Sequence, residues 1–204
     1  MARVEIFYDL SSPWTYLACH NIQPIIAEFN AELVWRPILV GGVFNAVNPS
    51  VHNSREAPVP AKVAYGKKDL ADWARAAGLK ILHYPSIFPV NAVRAMRLCC
   101  ALEDRPDQLV PFNFATFAAY WADDQDISKP AVLEAILRKV GLDPAPLFAA
   151  IEQQAVKDKL RANTQELIDR GGFGSPTMFV NGTDMYFGND RLPLLRAALE
   201  RARG

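Results

Sequence analysis

Cysteine is scarce in this 204-residue chain: Cys19, Cys99 and Cys100 are the only three. The number is odd, two are adjacent and no C-x-x-C occurs. That excludes a disulfide framework and a zinc knuckle, and reduced thiols in a cytoplasmic protein are expected. His20, His52 and His83 lie far apart and lack metal-ligand spacing, so no metal site is expected. An excess of charge is missing too. The 22 basic and 22 acidic residues cancel, and no long basic run occurs, which argues against nucleic acid or an anionic membrane as a partner. No apolar run reaches the roughly 18 residues of a membrane-spanning helix, and the first residues read as a strand rather than a secretory leader. Repeats and low-complexity segments are absent.

What is present is a globular composition, 50% hydrophobic and 22% charged, in a chain long enough for one domain with a sizeable insertion. Residues 3–8 read as a strand with apolar residues on both faces. From Pro13 to about Phe29, Leu17, Ala18, Ile22, Ile25, Ile26 and Phe29 recur at helical spacing. Residues 32–39 read as a second strand, with Pro37 marking an edge or an end. A short helical crossover makes this a βαβ unit with parallel strands. A Gly/Asn/Pro-rich loop is expected over 41–58. Helical patterns follow at 60–78, 91–104, 107–122, 130–140, 144–153 and 154–171. Strands at 177–181 and 184–187 straddle Asn181-Gly182, a hairpin signal. A last helix runs from about Arg191 to Ala202. The order βαβ, helices, ββα predicts an α/β protein: a thioredoxin-like domain (1–40 and 172–204) interrupted by an α-helical insertion domain (41–171).

Two turns stand out. In "YDLSSPWTYLA", Ser12 suits the N-cap of the first helix and Pro13 its first position. On local grounds this is a plain capped helix. A helix N-terminus also carries about half a positive charge and unpaired N–H donors, so it can hold an anion. Thioredoxin-like proteins place a cysteine at this turn, where its thiolate is stabilised. Here Ser11 and Ser12 stand there, and Cys19 falls about two turns into the helix. A serine cannot exchange disulfides, but it can donate a hydrogen bond to a thiolate that a ligand brings. The second turn is Ser175-Pro176 in "GGFGSPTMFV". It reads either as an ordinary trans X-Pro loop end or as a cis-proline opposite the first helix, with the Ser175 backbone free to pair with a peptide-like ligand.

"YDLSSPWTYLA", "WRPILVGGVFN", "FGSPTMFVNG" and "MYFGNDRLPLL" together resemble the 2-hydroxychromene-2-carboxylate isomerases and their relatives, the kappa-class glutathione transferases, nearly end to end. The resemblance implies a thioredoxin domain with a helical insertion, a homodimer, and glutathione as cofactor. By position it implies that Ser12, rather than Ser11, contacts the glutathione sulfur. Ser175, before the cis-proline Pro176, would pair with the cysteinyl part, and Phe187-Gly188-Asn189-Asp190 would bind the γ-glutamyl end. Asn53 matches a polar residue used for substrate or glutathione, and Lys62 a lysine used on glutathione. Glutathione carries two carboxylates and an ammonium, so Lys62 can meet a carboxylate and Asp190 the ammonium. On the residues alone, a solvated lysine and an ordinary helix cap account for those two. The isomerases' substrate lysine after the second strand is replaced by Val43-Phe44, and a substrate tyrosine falls on Phe88. The aromatics Phe112, Phe114, Phe117, Tyr120 and Trp121 suit a core or the apolar wall of a substrate cleft.

The expected activity is glutathione-dependent isomerisation of 2-hydroxychromene-2-carboxylate, or a related aromatic catabolite, to its trans-o-hydroxybenzylidenepyruvate. The alternatives are a kappa-like transferase or peroxidase and a non-catalytic glutathione- or peptide-binding protein. A thiol-disulfide oxidoreductase is disfavoured by the missing cysteine.

Overall fold

The computed structural model describes residues 1–203, and its strands form one mixed sheet in the order β2-β1-β3-β4. β1 (Arg3–Tyr8) runs parallel to β2 (Glu32–Pro37), with α1 (Pro13–Phe29) as the crossover. The two-residue period of β1 divides its side chains between two apolar clusters. Val4, Ile6 and Tyr8 enter the larger one, and Phe7 packs with Ile38, Val43, Leu167 and Phe179 on the opposite face. That double burial is why the segment reads as an almost unbroken apolar run. β3 (Thr177–Val180) pairs antiparallel with β1, and β4 (Asp184–Phe187) pairs antiparallel with β3. Their turn holds Asn181 at φ 49° and Gly182 at φ 88°, the left-handed pair that a tight hairpin requires. Pro37 ends β2 at the sheet edge, where its missing N–H breaks no ladder.

Between the two halves of the sheet lie α2 (Val40–Val47), α3 (Ser50–Glu56), α4 (Pro60–Ala76), α5 (Val93–Leu102), α6 (Pro106–Trp121), α7 (Pro130–Lys139), α8 (Pro144–Glu152) and α9 (Gln154–Asp169). A single 3-10 turn, Asn189–Arg191, leads into α10 (Leu192–Arg203). The α/β class and the thioredoxin-like order of elements are as the sequence implies. The expected loop at 41–58 is instead two helices, α2 and α3. Gly41-Gly42 and Asn48-Pro49 read as breakers, yet the glycines lie in the first turn of α2. Tertiary packing overrides their low propensity: Val43 is fully buried against α9, and a side chain at Gly42 would sit 3.4 Å from Thr164.

The larger cluster continues from β1 through Met96 of α5 and Phe112 and Phe117 of α6 to Leu195 and Leu199 of α10. Buried polar contacts fix the helices to β1. The Tyr8 hydroxyl bonds the Asn113 amide, and the Trp121 indole N–H donates to the Leu10 carbonyl at 3.0 Å. On the other face, Arg170, the C-cap of α9, meets Glu5 at 2.8 Å, and its guanidinium lies 3.8 Å from the centre of the Phe179 ring. These contacts hold the end of β1, and the turn that follows, against both helical layers. No helix among the described residues is long and apolar enough to cross a membrane.

Candidate active site

The turn after β1 carries a hydroxyl where a thioredoxin-like protein would carry its own sulfur. Ser12 is the N-cap of α1, extended at φ −111° and ψ 123°, and its Oγ accepts the Thr15 N–H at 3.2 Å. Pro13 opens the helix and has no N–H to satisfy. The Trp14 N–H is left unclaimed among the described residues, at the positive end of the helix.

None of the chain's cysteines can replace the missing sulfur. Cys19, Cys99 and Cys100 are free and buried. Burial pushes all three thiols up, Cys100 to about 12, so each stays protonated and inert near neutral pH. The site can therefore exchange a disulfide only if the sulfur comes from elsewhere.

Ser175 faces this turn. The Ser175–Pro176 peptide is cis, and the Ser175 carbonyl lies 3.5 Å from the Ser12 Oγ. The Ser175 hydroxyl pairs with Thr15 Oγ1 at 2.8 Å and accepts the Asp9 N–H at 3.0 Å. Its backbone N–H has no protein partner among the described residues. Ser12, Ser175 and the α1 N-terminus thus form a polar floor with donors to spare.

Above that floor opens a cavity of about 850 Å³. Its walls are largely apolar and include the aromatic side chains of Trp14, Phe44, Tyr84, Phe88, Trp121 and Phe187. Phe88 and Trp121 meet edge to face at 6.4 Å. Gly174 is required where Phe187 crosses, because a Cβ there would come within 2.8 Å of the ring. The rim carries Lys62 on α4, which forms no ion pair among the described residues, together with His52 and His83. Desolvation, aided by Lys67, holds the His83 imidazole below its usual range. No cluster of potential metal ligands occurs among the described residues.

Of the residues singled out from sequence, Ser12, Lys62, Phe88, Ser175 and Phe187 are brought together on this cavity. The others stand beside it. Pro176 and Gly188 join back to back, the Gly188 N–H donating to the Pro176 carbonyl at 3.0 Å. Asn189 is buried and turned toward α1, where its Oδ1 accepts from Asn21 at 2.9 Å while its own Nδ2 has no partner. Asp190 is exposed and pairs with Arg191. Asn53 is exposed on α3, between two residues that do line the cavity, His52 and Ser54.

Asp9 was not singled out. Its sequence signal is an acid between a buried strand and a capped helix start, a pattern that favours side-chain bonding to the following turn. It is 2% exposed and accepts from the Ser11 N–H (2.9 Å), the Ser11 hydroxyl (2.8 Å) and the Val40 N–H (2.8 Å). Burial pushes its carboxyl upward against these three bonds. Trp121, a candidate for core or wall, is both: its side chain is fully buried yet borders the cavity.

Fold and site together define a thioredoxin-like protein without an active-site sulfur of its own. The chain belongs to the family of DSBA-like thioredoxin domains, whose model matches residues 3–200. It is similar to the 2-hydroxychromene-2-carboxylate isomerase of Pseudomonas putida, 27% identical over 199 residues that span 97% of this chain and 94% of that one. It is also similar to glutathione S-transferase kappa 1 of Homo sapiens, 28% identical over 94% of this chain and 88% of that one. A solved structure of 2-hydroxychromene-2-carboxylate isomerase shares the fold with a TM-score of 0.80 at 24% identity, covering 98% of this chain and 95% of that one.

Proposed function

We propose that the protein is a glutathione-dependent isomerase that interconverts 2-hydroxychromene-2-carboxylate, or a related aromatic catabolite, and its trans-o-hydroxybenzylidenepyruvate. The observation that carries this reading is the pairing of Ser12, at the positive end of α1, with the Ser175–Pro176 turn beneath an aromatic-walled cavity that holds no cysteine. The unclaimed Trp14 and Ser175 N–H groups fit a peptide-like ligand bearing an anion. Ser175 would hold its cysteinyl part, Lys62 a carboxylate, and the Phe187–Asp190 segment its γ-glutamyl end.

When bound, glutathione supplies a nucleophilic sulfur able to add reversibly to the conjugated carbon of the ring-opened substrate, so that the double bond can rotate. The chain's own part is to seat and ionise that sulfur. Thr15 N–H anchors a lone pair of Ser12 Oγ, and the Ser12 hydroxyl proton, which the Ser175 carbonyl accepts at a long 3.5 Å, would turn to the sulfur when the ligand is bound. That hydrogen bond and the helix dipole favour the thiolate, and each pKa unit gained is worth about 1.4 kcal/mol. Phe88, Trp121 and Phe44 exclude water around a flat aromatic substrate. A homodimer and a cytoplasmic, reducing setting belong to the same proposal; the free, buried cysteines support the latter.

A second reading is a kappa-like transferase or peroxidase. It is favoured by the α2 wall, where Phe44 borders the cavity and Val43 is buried, in place of the lysine that the isomerases use for substrate. Assay of the purified protein with glutathione and the chromene separates the two. Isomerisation leaves the thiol count unchanged, whereas conjugation or peroxide reduction depletes it.

A further inference from the structure

Three segments that meet at the polar floor come from distant parts of the chain, and one side chain touches two of them. Asp9 Oδ1 accepts both the N–H and the hydroxyl of Ser11, in the turn that carries Ser12. Its Oδ2 accepts the N–H of Val40, the first residue of α2, whose Phe44 borders the cavity. The Asp9 N–H donates to the Ser175 hydroxyl, which completes the link to the cis-proline turn.

Resting on the glutathione reading above, we propose that Asp9 is the positioning residue of this site: its carboxylate fixes the sulfur seat at Ser12 relative to the aromatic wall carried by α2. The electrostatics agree. The carboxylate takes up the N-terminal charge of α2, so the α1 N-terminus is the one left for an incoming anion. Asparagine cannot reproduce the set. It has one acceptor oxygen, and its NH₂ would face an N–H or hydroxyl donor.

The fold gains little from an acid here. A buried carboxylate is costly to ionise, and burial raises this one. The groups facing it are Ser11, Val40 and Ser175, all uncharged, and Cys99, whose own thiol Asp9 helps to push up. For an acid raised in the folded state, the native form holds the proton more tightly than the unfolded one. Stability therefore falls as pH rises from the ordinary carboxylate range through the folded pKa, and the cost is complete above it. A side chain that costs stability at neutral pH while joining the parts of a site is one kept for function.

The test uses the full chain with Asp9→Asn and, as a milder variant, Ser11→Ala. Glutathione binding and thiol-dependent turnover are measured beside thermal unfolding from about pH 4 to about pH 8. Asp9→Asn is expected to lower kcat/KM about tenfold or more, because small misplacements at a site are costly. Its unfolding midpoint should gain on the wild type as pH rises, and Ser11→Ala should lose less turnover. Turnover within about twofold of wild type in Asp9→Asn would overturn the proposal. So would a midpoint that drops by the same amount at every pH, or a variant that does not fold, since either makes Asp9 a structural requirement only. If the wild type itself fails to bind glutathione, the underlying reading falls and this one with it. If the wild type binds and turns over but Asp9→Asn is unaffected, this one falls alone.

Discussion

The Ser12 hydroxyl lies 3.5 Å from the carbonyl oxygen of Ser175, a residue 163 positions further along the chain. One of the pair caps the first helix; the other precedes a cis-proline. An anionic ligand seated over this pair would meet a hydroxyl, a helix N-terminus and the free N–H groups of Trp14 and Ser175 at once. Ser12→Ala removes the hydroxyl alone. Thiol-dependent turnover should fall about tenfold or more, as for the loss of a donor aimed at developing charge. Chemical denaturation should show a loss of about 1 kcal/mol from the missing cap.

The reverse substitution restores the absent sulfur. In Ser12→Cys the new thiol would sit at the positive end of α1 and should ionise below the ordinary thiol value of about 8.5. Alkylation rates against pH measure this directly. Cys19, Cys99 and Cys100 provide the contrast: buried and pushed up, they should react only after denaturation, when three further labels per chain appear beside the one at position 12.

Gly174→Ala tests the aromatic wall. Its Cβ would meet the Phe187 ring at 2.8 Å, so the ring must move out of its place on the cavity. Titration calorimetry should show weaker glutathione binding. Unfolding should lose about 1–2 kcal/mol, as overpacking usually costs.

Arg170→Ala separates scaffold from site. It leaves the buried Glu5 carboxylate with only Arg3, at 3.7 Å, as an ion-pair partner among the described residues, and removes the guanidinium from the Phe179 ring. About 3 kcal/mol of stability should be lost, the low end of the cost of removing one partner from a buried ion pair, since Arg3 still faces the carboxylate. Turnover per folded molecule should stay near that of the wild type, because Arg170 does not border the cavity.

The sequence made the fold legible wherever the signal was local. Ser12-Pro13, Asn181-Gly182 and the apolar spacing of the longer helices each declare themselves within a few residues, and the observed boundaries fall close to those expected. α2 and α3 were hidden because what holds them is remote. Val43 packs on Leu167, and the Val40 N–H is held by Asp9, 31 residues earlier. The site divided in the same way. Ser12 and Ser175 could be found from turn chemistry and resemblance. Phe88, Phe187 and Trp121 of the aromatic wall were likewise named in advance, but the joint formed by Asp9 and the inward turn of Asn189 toward Asn21 could not be, since each depends on contacts that only the folded chain brings together.

Ultraviolet titration of the thiol in enzyme-bound glutathione is the most direct trial of the whole account. The bound thiol should ionise at least about one unit below the free tripeptide, and Ser12→Ala should carry it back upward by a measurable part of that shift. A bound thiol that titrates like the free one, or identically in the wild type and in Ser12→Ala, would contradict it.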